Sequence, residues 1–229
     1  MPSIMITSAN RGLGLEFVRQ YALDGWRIFA ACRDPDVAHD LHKLAATHAV
    51  TVLPMDVTDL ASIRRAAAGL NDEPIDVLLN SAGIIGKPAQ RIGNIDYESW
   101  KQVLNVNTIG PLRVTEALIE HLARSERKLV VTITSGLGSI ADNTSGGSIP
   151  YRTSKAAVNM AMRSAAIDLA PRKIACVLVN PGWVKTDMGG PNAPLTPSES
   201  VAALKRLIAT LGPAHSGRFF HYDGREYPW

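Results

Sequence analysis

Long hydrophobic runs are missing from this chain, as are cysteine clusters and any concentration of charge of one sign. Each absence removes a class of function. No apolar stretch approaches the length that spans a bilayer. The first residues enter a strand-like run, Ser3-Ile4-Met5-Ile6-Thr7, which leaves no room for a secretory leader and sets the expectation of a cytoplasmic protein with no membrane partner. Only two cysteines occur, Cys32 and Cys176, each within a run that reads as a buried strand, so they are expected as reduced thiols. The six histidines are scattered. His39 and His42 share a helix face without a third ligand, so no metal is expected. The formal charge of +3 is spread over isolated pairs such as Arg64-Arg65, Arg172-Lys173 and Lys205-Arg206. A nucleic-acid face would concentrate that charge, so nucleic acid is not expected as a partner.

What is present is alternation. The 229 residues, 46% hydrophobic and 20% charged, suffice for one large core, and nothing divides them in two. Strands are expected near 3–7, 26–31, 50–55, 75–80, 128–134, 174–180 and 218–222. Helices are expected near 13–23, 36–47, 60–70, 97–125, 151–170 and 197–211. Short apolar runs separated by amphipathic helices call for a parallel sheet covered on both faces. The expectation is one doubly wound α/β domain, a Rossmann-like sheet of about seven strands over residues 1–229.

Two side chains on the helix after the fifth strand carry chemistry. Tyr151 and Lys155 stand four residues apart, one turn above each other on a shared face. An ammonium about 4 Å from a phenol contributes roughly 4 kcal/mol at an effective dielectric near 20, about three pKa units, but only about 1 kcal/mol in bulk water. Proton donation by Tyr151 to a substrate oxygen therefore calls for a site that excludes water. A half-buried tyrosine beside a solvated lysine is the blander account of the same spacing.

The first strand runs into Thr7-Ser8-Ala9-Asn10-Arg11-Gly12-Leu13-Gly14 and then a helix. Glycines at such a turn let backbone approach a phosphate, and the helix start offers free N–H groups. The second strand ends Ala30-Ala31-Cys32-Arg33-Asp34. An acid at this point accepts bonds from ribose hydroxyls, whereas an arginine accommodates a 2′-phosphate. Cys32 stands where the acid would be, and Arg11 and Arg33 bracket one expected phosphate. A one-residue shift of the strand end would make Asp34 the acid. Asp56, which closes the third strand, and Asn80-Ser81-Ala82-Gly83, which closes the fourth, lie at the carboxyl edge where such sheets bind ligands.

With these motifs in order, the chain resembles the short-chain dehydrogenase/reductase family over essentially its whole length. It is most similar to the compact carbonyl-reductase-like (C-factor-like) branch. The family's Thr-Gly-x-x-x-Gly-x-Gly is met by Thr7, Gly12 and Gly14, with Ser8 for the first glycine, a strain on the order of 1 kcal/mol if the turn needs positive φ. Its Asn-Asn-Ala-Gly is met by Asn80, Ala82 and Gly83, with Ser81 for the second Asn. Its Pro-Gly-x-Val-x-Thr is met by Pro181, Gly182, Val184 and Thr186. The resemblance implies Asn107, Ser135, Tyr151 and Lys155 as catalytic residues. It implies a cofactor site of Thr7, Ser8, Asn10, Arg11, Gly12, Leu13, Gly14, Arg33, Asp56, Val57, Asn80, Ala82 and Gly83, completed by Tyr151, Lys155, Pro181, Gly182, Val184 and Thr186.

The expected function is NADPH-dependent reduction of a ketone or aldehyde, with NADP(H) as cofactor, Tyr151 as proton donor and a small carbonyl or alcohol as substrate. The rival is a dinucleotide-binding regulatory or signalling protein with little turnover. The Gly- and Pro-flanked stretch near 187–197 is expected to form a short substrate lid. Five of the 13 aromatics fall in the last eleven residues, read as an arm covering a sheet edge, with pocket lining or a subunit contact as the alternative. Small and apolar residues over more than one face of the helices near 97–125 and 151–170 suggest a homodimer or homotetramer, as the family pairs those two helices. Pro111 lacks the N–H that would reach the Asn107 carbonyl in a regular helix, so that carbonyl needs another partner.

Overall fold

The computed structural model describes residues 1–229. Seven strands form one parallel sheet in the order β3-β2-β1-β4-β5-β6-β7. They are β1 (Ser3–Thr7), β2 (Arg27–Cys32), β3 (Val50–Pro54), β4 (Val77–Asn80), β5 (Leu129–Ile133), β6 (Ala175–Asn180) and β7 (Phe219–His221). The helices are α1 (Gly12–Leu23), α2 (His39–Ala45), α3 (Leu60–Gly69), α4 (Tyr97–Leu104), α5 (Gly110–Ala117), α6 (Ile119–Arg124), α7 (Ile149–Asp168) and α8 (Pro197–Thr210). The expected doubly wound architecture is the one observed.

Both faces of the sheet are apolar, because successive strand residues point to opposite sides and both sides are covered. Ile4, Ile6, Ala30, Leu79, Val131 and Val177 pack with Phe17, Leu41 and Leu204 of α1, α2 and α8. Met5, Ala31, Leu78, Val130 and Cys176 pack with Ile63, Val114, Val158 and Met162 of α3, α5 and α7. Strand order reverses between β1 and β4, which leaves a crevice outside their carboxyl ends. The Thr7 hydroxyl spans this point, accepting the Ser81 N–H at 2.9 Å and the Ala82 N–H at 3.1 Å.

Two expectations are corrected. The single helix near 97–125 is three helices with a π-helical turn at Asn105–Ile109, where the Gly110 N–H donates to the Asn105 carbonyl. Pro111 has no N–H to continue a regular ladder, and the wider turn accommodates it. Further along, the Thr115 hydroxyl bonds back to the Pro111 carbonyl at 2.7 Å, and the chain leaves helical geometry at Leu118. The helix carrying Tyr151 starts earlier than expected, at Ile149, after Ser148 in a left-handed conformation (φ 45°), with Pro150 in its first turn.

Candidate active site

The turn after β1 is held by a close approach. Ser8 lies at φ 54°, so the turn does require the left-handed region that its Cβ disfavours. A Cβ on Gly14 would stand 2.2 Å from the Ser8 carbonyl oxygen, so only glycine lets α1 start against this turn. Gly12, at φ 52°, completes the bend. A cavity of about 270 Å³ opens beside it, lined by Ser8, Asn10, Arg11, Cys32, Arg33, Asp34, Asp56, Val57, Ala82 and Gly83. β2 ends at Cys32, one residue beyond its expected end, and Asp34 lines the cavity together with both arginines. Burial pushes the Cys32 thiol up, with the Asp34 carboxylate second. Burial works to raise the Asp56 carboxyl, but the Thr58 hydroxyl (2.7 Å) and N–H (2.8 Å), with the Arg33 charge, hold it below its usual value.

A smaller space of about 130 Å³ joins this cradle to Lys155 and Tyr151, past Gly14, Gly83, Pro181 and Thr186. Beyond it lies a cavity of about 540 Å³ whose lining includes Leu13, Ser135, Tyr151, Pro181, Gly182, Val184 and Thr186. Ser135 leaves the end of β5 and caps a short turn, accepting the Leu137 N–H at 3.1 Å. Its hydroxyl and the Tyr151 phenol line the same cavity. Lys155 is buried behind them, donating to the Ile133 carbonyl at 2.9 Å, with its ammonium 5.8 Å from the centre of the Tyr151 ring.

Protonation differs from the expectation that Lys155 lowers the Tyr151 pKa. Burial pushes the phenol up, and the Ser135 hydroxyl pulls only partly the other way. Burial also brings the Lys155 ammonium down from 10.5 to about 8. The same exclusion of water that strengthens a charge interaction penalises both charged forms first.

Three expected site residues lie behind the cavities. Thr7 is buried and bonds the chain after β4. Asn80 donates to the hydroxyls of Thr115 (3.2 Å) and Thr132 (3.4 Å). Asn107 is buried in the π turn, its side chain exchanging bonds with Ile84 (2.9 and 2.8 Å) and donating to the Ser154 hydroxyl at 3.0 Å.

A short chain dehydrogenase profile matches residues 2–194. The chain belongs to the short-chain dehydrogenase family. It is 46% identical over 167 residues to the C-signal protein of Myxococcus xanthus, covering 73% of this chain and 100% of that one. Among solved structures, the carbonyl reductase Sniffer of D. melanogaster is 36% identical with a TM-score of 0.93, covering 100% of both chains. An NADPH-bound carbonyl reductase from chicken fatty liver is 36% identical with a TM-score of 0.92, covering 100% of this chain and 99% of that one.

In this short-chain dehydrogenase the aromatic tail does two jobs that the sequence left as alternatives. It folds back on β7, the Tyr227 N–H donating to the Phe219 carbonyl at 2.7 Å, and so covers the sheet edge. It also lines the large cavity, where the Tyr227 hydroxyl donates to Asp142 at 2.8 Å. Thr134, Arg152 and Trp183 line that cavity as well and carried no sequence signal, because their placement depends on how β5, α7 and the chain after β6 converge.

The buried lysine makes stability depend on pH. Below about pH 8 Lys155 is charged in both the folded and the unfolded chain, and the burial penalty is present in full. Between about 8 and 10.5 the unfolded chain holds a proton that the folded chain has released, so rising pH favours folding. Denaturant titrations of wild type and Lys155→Met should show the difference moving towards the wild type by up to about 3 kcal/mol across that interval. Parallel pH curves would contradict this.

Proposed function

We propose that this chain is an NADPH-dependent carbonyl reductase that converts a ketone or aldehyde to an alcohol. The observation that carries the reading is the convergence of the Ser135 hydroxyl and the Tyr151 phenol on one cavity next to a glycine-built cradle. The likeness to two carbonyl reductases, one of them NADPH-bound, supports it.

The cofactor fits the residues present. Gly14 leaves backbone where a Cβ would intrude, Gly12 takes the left-handed turn at φ 52°, and Arg11 and Arg33 face one cavity without an ion pair of their own. Arg11 and Arg33 would hold the 2′-phosphate, while Ser8, Asn10 and the start of α1 take the other phosphates. Asp56, Val57, Ala82 and Gly83 would frame the adenine and ribose side, with Thr7 and Asn80 buried behind them. Pro181, Gly182, Val184 and Thr186 would orient the nicotinamide end. When bound, the cofactor supplies hydride to the carbonyl carbon.

The chain's own residues handle the proton and the oxygen. Tyr151, kept protonated by burial, donates its phenolic proton to the oxygen as negative charge develops there. Ser135 hydrogen-bonds the same oxygen and holds it beside the phenol. Lys155 stands behind Tyr151 and feeds the proton path. The Asn107 side chain is fully engaged, so its contribution is its backbone carbonyl, which has no fourth-residue donor because Pro111 follows. The segment near 187–197 would act as the lid. It is pinned at its base, where Val184 bridges Leu195 and the Lys185 N–H meets the Leu195 carbonyl at 2.8 Å.

The likeness to the C-signal protein favours a second reading, a dinucleotide-binding signalling protein with little turnover. Retention of Ser135, Tyr151 and Lys155 around an open cavity favours the enzyme. We read residues 1–229 as one cytoplasmic unit; no helix is long and apolar enough to cross a membrane. The outer side of α7, with Met160 and Ile167 exposed, is the face offered to a second copy. A solution mass of two or four times 24.6 kDa would support that pairing, and the monomer mass at micromolar concentration would overturn it.

The reading is tested by following NADPH oxidation against aldehydes, aromatic ketones, diketones and quinones. Each charge-assisted bond to the 2′-phosphate is worth roughly 1.5–3 kcal/mol, so NADPH should be preferred to NADH by well over about tenfold. Arg33→Ala should remove about tenfold of that preference. An unchanged cofactor ratio would show that Arg33 does not read the phosphate, and no turnover with any carbonyl would favour the signalling reading.

A further inference from the structure

A second cavity adjoins the large one through Arg152. It has a volume of about 380 Å³, and its lining includes Arg91, Ile92, Asn143, Gly147, Ile149 and Arg152. None of its residues lines the cofactor cradle or the space beside Lys155, so a cofactor phosphate does not account for its charge. Its only charged groups are two guanidiniums, and neither is within an ion-pair distance of a carboxylate.

Both guanidiniums rest on one turn. Arg152 donates through Nε to the carbonyls of Gly146 and Gly147, both at 3.1 Å, and through Nη2 to the Ser145 hydroxyl at 2.7 Å. Its Nη1 has no protein acceptor. Arg91 lies against Gly147, where a Cβ would come within 3.1 Å of its guanidinium carbon, and its guanidinium makes no hydrogen bond to the protein. Two like charges on one turn repel, and arginine forks are matched to carboxylate geometry, so an anion between them would relieve the one and satisfy the other. The one acid of the large cavity, Asp142, is occupied by the Tyr227 hydroxyl. The rest of the path is apolar. Ile85, Leu137, Trp183 and Met188 line the large cavity and are each more than a third exposed, while Ile92 and Ile149 line the second.

Resting on the reductase reading, we propose that the substrates of this chain are carbonyl compounds carrying a carboxylate at the end of an apolar arm, with Arg152 and Arg91 as the residues that select them. Tyr151 and Arg152 are neighbours on α7 about 100° apart, and Arg152 lines both the large cavity that holds the phenol and the second one. A ketone with an aliphatic chain to its carboxylate would reach from one to the other.

The test compares 5-benzoylpentanoate with its methyl ester, which differ in charge and little in shape. Wild type should favour the acid in kcat/KM by about tenfold or more, and added salt should erode the preference. Arg152→Gln and Arg91→Gln should each bring acid and ester towards parity, whereas Arg152→Lys, which keeps the charge, should retain part of the preference. An ester reduced as well as the acid by wild type, or an acid preference surviving both glutamine variants, would overturn the proposal. If neither compound is reduced although other carbonyls are, the proposal is overturned; if no carbonyl is reduced, the reductase reading has failed, and calorimetric titration of both compounds into the wild type with NADP⁺ decides the subsite separately. Tighter binding of the acid, lost in Arg152→Gln, supports it, and equal binding overturns it.

Discussion

The site depends on one close approach, that of the turn after β5 to the helix α7. A Cβ on Gly138 would stand 2.8 Å from the Lys155 Cβ and 2.9 Å from its carbonyl carbon, so glycine alone permits the contact. Thr134 and Asn159 tie the same two elements, with the Thr134 hydroxyl donating to the Asn159 side chain at 2.6 Å and the Asn159 amide donating to the Gly138 carbonyl at 3.4 Å. Because β5 and α7 cannot move apart, Ser135 at the end of one and Tyr151 at the start of the other meet across a fixed gap. Lys155 is sealed beneath them by the same contact, and its only polar partner is the Ile133 carbonyl at the end of β5.

That sealing costs stability and shapes the chemistry. A lysine brought down to about 8 by burial would be better tolerated as a hydrophobe. Its retention, with Ser8 held at φ 54° in the phosphate turn, places the unfavourable terms of this fold where a cofactor and a substrate would be held. The surroundings compensate with neutral hydrogen bonds. Asn107, Ser154, Thr134 and Asn159 form a buried polar layer behind the reacting groups that adds no further charge. A phenol kept protonated until an oxygen develops charge beside it suits reduction, since the proton must be present when it is needed.

The layered fold was legible because every strand is a short apolar run and every helix has a polar face, patterns that survive without tertiary information. The cradle was legible from Gly12 and Gly14, since a left-handed turn at the one and a backbone passing at short range at the other restrict the residue type locally. The π turn at Asn105–Ile109 was not, although Pro111 marked the place. A missing N–H shows that a helix must adjust but not whether it bends, breaks or widens. Tyr227 and Arg152 were not legible as lining one cavity because they come from elements 75 residues apart that meet only after the sheet is complete. The protonation of Tyr151 was not legible, because spacing shows a nearby charge and conceals how deeply both groups are buried.

The account turns on Tyr151 as the proton donor, and one paired measurement reaches it directly. In Tyr151→Phe only an oxygen is lost, so NADPH should titrate by fluorescence with an unchanged affinity and the thermal transition should stay close to that of the wild type. Carbonyl reduction should fall by about 10²–10⁴-fold, the loss typical of removing a positioned acid. Turnover near the wild-type rate, with the cofactor bound as before, would mean that another group delivers the proton and that the arrangement around Tyr151 is not the catalytic one.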